Sequence, residues 1–376
     1  LVAGAGIAGL TFAALMKQRG RDVELIDRAG DFQQAGFALG LYPLGGRILN
    51  GLGAMRRYRT LSYELDFYDV ANGRGSLIKR FDFRPLTKVY GDFRMIERGT
   101  LLSLLHDLAG NPSVMTNTVV EDIVSDGEKM AVRLSNGSVG HYDLVVGADG
   151  IHSTVRTKVM PEHEVYDTGW ACWSHWVPNW SLEPRSARDC WGAGKLLGLY
   201  PGIERGCVVS CGPAKALGNG AAEGRRARVQ KLFRGVKGAA KEAVAAFPND
   251  DAPMFFWKFE DRRAKQWVKG RVCLLGDAAC AFLPTAGIGA SMAIESAAVL
   301  AEELSRANTK TVPQALAFYE KRRRHRVEAA QNDSRRLARM MFFKNPLLAF
   351  ARNQLTRFMT FDTMASDIRK MLDEPI

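Results

Sequence analysis

LVAGAGIAGLTFAALMKQRGRDVELID, residues 1–27, reads as strand, glycine turn, helix, strand. The turn carries Gly4, Gly6 and Gly9 in the spacing GxGxxG, and the second strand ends on Asp27, followed by Arg28. Each part has a physical use in a dinucleotide-binding βαβ unit. Gly4 allows the tight turn, Gly6 lets the backbone approach a pyrophosphate, and Gly9 permits close helix packing. The helix start, at Ile7 and Ala8, offers free N–H groups and partial positive charge to phosphate. Asp27 is placed to accept hydrogen bonds from an adenosine ribose. The motif does not by itself separate FAD from NAD.

Outward from this unit, RGTLLSLLHDL at Arg98–Leu108 has helical periodicity. A strand is predicted over 118–124, and Asn136-Gly137 reads as a hairpin turn between strands at 130–134 and 139–144. From 167 to 269 the character changes to aromatic-rich strands broken by Gly, Pro and Asn, with one basic helical insertion at 223–247. Residues 272–275 form a continuous apolar run of the kind found in a buried central strand, and they lead into a second glycine turn and a helix over 288–305. The expected class is α/β: a Rossmann-like GxGxxG dinucleotide-binding domain, a second domain with a mixed β-sheet, and C-terminal helices. The first domain is expected to be discontinuous, over 1–160 and 269–330, with 161–268 as the substrate domain. Residues 61–97 are a possible contribution to that second domain, and 331–376 a helical segment including an amphipathic helix over 347–359.

The chain has 376 residues, 47% of them hydrophobic and 24% charged, enough for two closely docked domains with a sizeable core. Its six cysteines show no CxxC pair and its histidines are too few for a zinc set, so a reduced, cytoplasmic setting and no metal are expected. Residues 1–16 are apolar but lack a basic leader, and no targeting or membrane-spanning segment is expected. The net charge of +12 raises nucleic acid or an anionic membrane as partners. The densest basic run, 321–326, lies within a helical stretch over 313–341, where it reads as a solvated face attracting an anionic nucleotide or substrate. Neither nucleic-acid binding nor membrane contact is expected.

Two further motifs carry chemistry. VCLLGDAACAFLPTAGIGASMAIESAAVLAEEL, residues 272–304, sets Gly276 and Asp277 on a tight turn after a strand, with Pro284, Gly287, Ile288 and Gly289 opening a helix. A carboxylate there can bind the hydroxyls of a ribityl chain, and the bare glycine backbone allows a planar ring to lie against it. The helix N-terminus would then point at the pyrimidine edge of an isoalloxazine, which is negative when reduced. DLVVGADGIHSTVR, residues 143–156, places Asp149 and Gly150 at a strand end, with Arg156 available either for a nucleotide phosphate or for a helix cap.

In these motifs the chain resembles the flavoprotein aromatic hydroxylases, single-component monooxygenases that share the p-hydroxybenzoate hydroxylase fold. Residues 143–156 are similar to that family's second signature and 272–304 to its third, and Arg98 with Leu101 fits its arginine before a leucine-rich helix. The resemblance implies FAD as cofactor, with Arg98 beside it and Asp149 and Gly150 contacting it, and NAD(P)H as co-substrate. It also implies O2 as oxidant and hydroxylation of an aromatic or polycyclic small molecule through a flavin hydroperoxide. Where the family usually has His after GDAA, this chain has Cys280, and Ala290 and Ser291 follow where Asn is frequent. A halogenase or reductase of the same fold, or a membrane-associated FAD-binding module, are the rival readings.

No GxSxG or HExxH is present, and no catalytic triad is expected. Substrate-pocket candidates are His175, Trp173, Phe282 and Cys280. GWACWSHWVPNW, residues 169–180, holds four of the seven tryptophans. As a strand it sets Trp170 and Trp176 on one face and Trp173 and His175 on the other, one of which either walls an aromatic pocket or packs in the core. His175 either orients and deprotonates a phenol or is a satisfied core histidine.

Overall fold

The computed structural model describes residues 1–33, 36–178 and 183–374; Asn179 and Trp180 of the tryptophan-rich stretch lie outside these. Val2–Ala3 pairs in parallel with Leu25–Ile26 on one side and Val145–Gly147 on the other. Val145–Gly147 in turn pairs in parallel with Val272–Leu274. With Val114–Met115 and Val268–Lys269 at its edges, this is a six-stranded sheet. Its central strands are short and buried on both faces, as a parallel sheet covered by helices requires. Helix Ile7–Gln18 packs against helix Gly289–Ser305, which also receives Pro43–Gly51. The beginning of the chain and residues near 275 therefore meet in one layer.

The second sheet has seven strands, in the order Phe255–Ala264, His163–Pro178, Arg205–Pro213, Leu196–Tyr200, Ser186–Trp191, Phe67–Asn72 and Leu77–Asp82. It is mixed: Ser186–Trp191 runs parallel to Phe67–Asn72, and the other pairs are antiparallel. The basic insertion forms two short helices, Arg225–Leu232 and Ala239–Ala245, which close a satellite core over one face with Trp173, Leu197, Val208 and Phe247. The other face fronts a cavity.

Two expectations change at the C-terminal side. Val312–Met341 is one continuous helix, so a boundary at 330/331 falls inside it. Ala330, Gln331, Ser334 and Ala338 continue its buried face without interruption. The basic run is a solvated face only in part: Lys321 and His325 are exposed, but two of its arginines are not. Helical periodicity turns Arg323 and Arg326 inward, where both are buried and ion-paired to Glu295 of Gly289–Ser305. Pro346–Phe358 and Phe361–Asp373 follow as two more helices. Among the described residues, no helix is long and apolar enough to cross a membrane.

Candidate active site

A cavity of about 1780 Å³ runs between the two sheets. It exceeds the roughly 300–1,000 Å³ of a typical small-molecule site, leaving room for a dinucleotide and a second ligand. The turns at Gly4 and Gly287 open onto this same cavity. Gly6, Ile7, Ala8, Asp27, Arg28, Arg98, Asp149, Gly150, Asp277, Pro284, Ile288, Gly289, Phe282 and His175 also line it.

Gly9 and Gly276 do not line the cavity; they permit the packing that shapes it. A Cβ on Gly9 would lie 2.0 Å from the carbonyl oxygen of Gly4, and one on Gly276 would lie 2.8 Å from the Cβ of Ala8. The helix Ile7–Gln18 can thus press its first turn onto the glycine loop. Asp27 steadies that loop from the neighbouring strand: Oδ2 accepts from the Ala5 N–H at 2.7 Å and Oδ1 from the Ala29 N–H at 2.8 Å. Its remaining lone pairs stay available to a ligand's hydroxyls.

Asp149 caps the helix Thr154–Val159 through Oδ2, which accepts from the N–H groups of Thr154 and Val155. Its Oδ1 is buried without a partner in the protein. Arg156 is buried and donates to the carbonyls of Ala278 and Ile151 at 2.7 and 2.6 Å, tying the Asp149-Gly150 loop to the Asp277 turn. Its role here is therefore a brace between two loops.

Asp277 lines the cavity, accessible from its empty space; the protein around it raises its carboxyl to about 6, while the Arg98 guanidinium pulls it back down. Burial lowers Arg98, which is held against this by Asp27 and Asp277. The cavity wall thus carries a cation acted on by two carboxylates, and the N-terminus of Gly289–Ser305. Such a set holds phosphates, sugar hydroxyls and a planar ring. Among the described residues, no group of three or more His, Cys, Asp or Glu is arranged to hold a metal.

The other end is bounded by the seven-stranded sheet and the C-terminal helices. Tyr42 stacks on Phe93 with ring centroids 4.5 Å apart, and Met340, Met341, Met359, Met364 and Met371 form a soft apolar wall. Of the four pocket candidates, Phe282 and His175 reach the cavity, and Trp173 and Cys280 do not. Trp173 faces the satellite core, where its Nε1 donates to the Leu217 carbonyl at 3.3 Å. Cys280 packs into the main core, and burial pushes its thiol up, away from thiolate chemistry.

Burial lowers His175 to about 4, and its Nε2 lies 3.2 Å from the Ala243 carbonyl, so the ring is neutral and donates from Nε2. Trp170 stacks on Phe342 at 4.1 Å, and Trp176 reaches the cavity under the guanidinium of Arg205. Sequence reasoning did not single out Tyr68, Asp189 and Tyr200, three polar side chains that the strands bring together on the cavity face.

Residues 1–334 match the family model described as "FAD binding domain". The chain is 28% identical to the aurachin C monooxygenase/isomerase of Stigmatella aurantiaca, over 99% of this chain and 97% of that protein. It is also 28% identical to the 2-heptyl-3-hydroxy-4(1H)-quinolone synthase of Pseudomonas aeruginosa, over 95% and 93%. Among solved structures, Klebsiella pneumoniae HpxO complexed with FAD and uric acid superposes with a TM-score of 0.89 at 25% identity, covering 99% of this chain and 96% of that one.

Proposed function

The chain belongs to the FAD-binding-domain family that its residues 1–334 match, and from that premise we propose a single-component FAD-dependent monooxygenase that uses NAD(P)H and O2 to hydroxylate an aromatic or polycyclic small molecule. One observation carries the reading: two glycine turns from opposite ends of the sequence open onto a single cavity whose far end is an apolar, aromatic chamber. Monooxygenase names among the relatives favour it over a halogenase or a membrane-associated module. Fused heteroaromatic rings are the first substrates to test, since a quinolone synthase is among the relatives and HpxO holds uric acid.

The residues fit FAD. The Asp149 acceptor without a partner, the N–H groups at Ile7 and Ala8, and the cavity-lining Asp277 carboxyl supply a donor and acceptor set suited to its phosphates and hydroxyls. Gly4, Gly6, Ile7 and Ala8 would hold the pyrophosphate, with Gly9 packed behind them, while Asp27 and Arg28 would lie at the adenosine end. Arg98, Asp149 and Gly150 would flank the middle. Asp277, on the turn made by Gly276, would take the ribityl hydroxyls, and Pro284, Gly287, Ile288 and Gly289 the ring. Bound there, FAD supplies the redox chemistry between NAD(P)H, O2 and substrate. The protein's part is to bind, orient and exclude water. The start of Gly289–Ser305 stabilises negative charge on the ring edge, and the methionine and aromatic walls keep the chamber dry.

The purified protein should be yellow, and a matching ring compound should accelerate NAD(P)H oxidation with equal consumption of O2. A colourless protein that does not bind added FAD would overturn the assignment; NAD(P)H oxidation driven by substrate without O2 uptake would leave a flavoenzyme of another kind.

A pH dependence follows from Asp277. Hydroxyls that donate to its carboxylate favour the ionised form, so binding releases the proton that the apoprotein holds below about 6. FAD affinity should rise as pH climbs through that value and level off above it, by about tenfold for each unit that ligation lowers the pKa. Titrating apoprotein by flavin fluorescence across this range checks the slope. Asp277→Asn should flatten it; an unchanged slope in that variant would assign it to another group.

A further inference from the structure

Near the middle of the seven-stranded sheet, Asp189 turns toward the cavity and is buried. The Tyr68 hydroxyl donates to its Oδ2 at 2.7 Å and the Tyr200 hydroxyl to its Oδ1 at 2.8 Å. Register places Asp189 opposite Val70 on one neighbouring strand and Gly198 on the other. Each tyrosine sits two residues along from those positions, on the same face.

Gly198 is what lets Tyr200 reach back. A Cβ there would meet the Tyr200 ring at 2.6 Å, so the bare backbone is the bed on which that ring lies. The surroundings are apolar: Phe81, Phe83, Leu196 and Val209. Among the described residues, no cation acts on Asp189. Arg205, which also reaches the cavity, is already committed to Glu97 through two bonds of 2.9 and 2.6 Å.

Besides the two phenols, the Trp191 indole N–H on the same face also favours the ionised carboxyl, yet no charge balances it, so the set lacks a counterpart. Burial raises Asp189 and both tyrosines, so the phenols keep their protons and spend them on the carboxyl. The carboxyl and phenol oxygens keep lone pairs beyond those two bonds, and all three residues line the chamber. A ligand edge that donates completes the set, and an anionic edge meets acceptors in a low-dielectric wall.

We propose, on the basis of the monooxygenase reading above, that Tyr68, Asp189 and Tyr200 form the recognition site for the substrate's polar edge. They select a ring bearing an N–H or O–H donor over one bearing a carboxylate. Gly198 is a positioning residue, acting through Tyr200.

Flavin absorbance of the holoenzyme reports ring binding during titration with 4-quinolone, N-methyl-4-quinolone and quinoline-4-carboxylate. The N–H compound should bind about tenfold or more tighter than its N-methyl analogue, which leaves the acceptors unpaired, and tighter still than the carboxylate. Asp189→Asn, of the same shape, should reduce the discrimination against the carboxylate at least about tenfold. Tyr68→Phe and Tyr200→Phe should each weaken 4-quinolone alone by several-fold, and they keep the test alive if the Asn variant does not fold. Equal or tighter binding of the carboxylate to the wild type, ratios unchanged in all three variants, or no response to any of the three rings overturns the proposal. The flavin spectrum and NAD(P)H oxidation, read on the same sample, show separately whether the flavoenzyme reading stands.

Discussion

Glu295→Ala should destabilise the protein by about 3–5 kcal/mol, because it strands buried arginines without their counter-charge. The Glu295 side chain is fully buried in Gly289–Ser305. Arg323 approaches its Oε2 at 2.7 Å, Arg326 reaches both its oxygens at 3.1 and 3.2 Å, and Arg47 reaches Oε1 at 3.1 Å. Burial alone would raise this carboxyl, but Arg323 and Arg326 outweigh it and hold it below its usual range. Its contribution is therefore present at neutral pH and fades only as acid protonates it through that lowered value. Denaturant unfolding at fixed FAD concentration measures the loss. A change under about 1 kcal/mol would mean that the guanidiniums find water or other acceptors once Glu295 is gone.

Gly9→Ala should weaken FAD binding by about tenfold to a few hundredfold. The added methyl would stand 2.0 Å from the Gly4 carbonyl oxygen and 3.2 Å from a Val2 methyl, and the first of these is backbone that has no rotamer to escape into. Relief requires the helix Ile7–Gln18 to move off the glycine loop, displacing the N–H groups meant for phosphate. Overpacking of this kind costs about 1–3 kcal/mol or more, and each 1.4 kcal/mol is a factor of ten in binding. Gly6→Ala separates the causes: a Cβ there meets nothing within 4 Å of protein, so that variant should leave the apoprotein's stability unchanged and weaken FAD only by touching the ligand. Equal FAD affinity in wild type and Gly9→Ala would show that the loop and helix can separate without harm.

The parts of this molecule that are local in sequence were readable as such. Residues 1–27 could be read as strand, turn, helix and strand because the glycine spacing and periodicity that mark the unit lie within it, although its packing partners do not, and Asp277 follows from a strand-turn-helix of the same kind. The Tyr68–Asp189–Tyr200 cluster was not readable, because it depends on register between strands far apart in the chain. In SARDCW, residues 186–191, alternation puts Arg188 and Asp189 on opposite faces but does not say which face is inside. The fold decides it by pairing Arg188 with Asp69 at 2.9 Å on the far side. Arg323 and Arg326 were misread as solvent-facing for the same reason, since their acid lies on another helix. Cys280 sits in a motif next to the expected ring, yet its backbone bridges to Arg263 and its side chain turns to the core.

The walls of the long cavity come from residues near 4, 98, 149 and 277, segments joined by nothing shorter than dozens of residues of chain. A dinucleotide lying along all of them would act as a non-covalent staple. Its binding energy is then also folding energy, growing with the logarithm of free cofactor. Heat resistance would then belong to the loaded complex, and a cell short of riboflavin would meet a looser molecule with the same sequence.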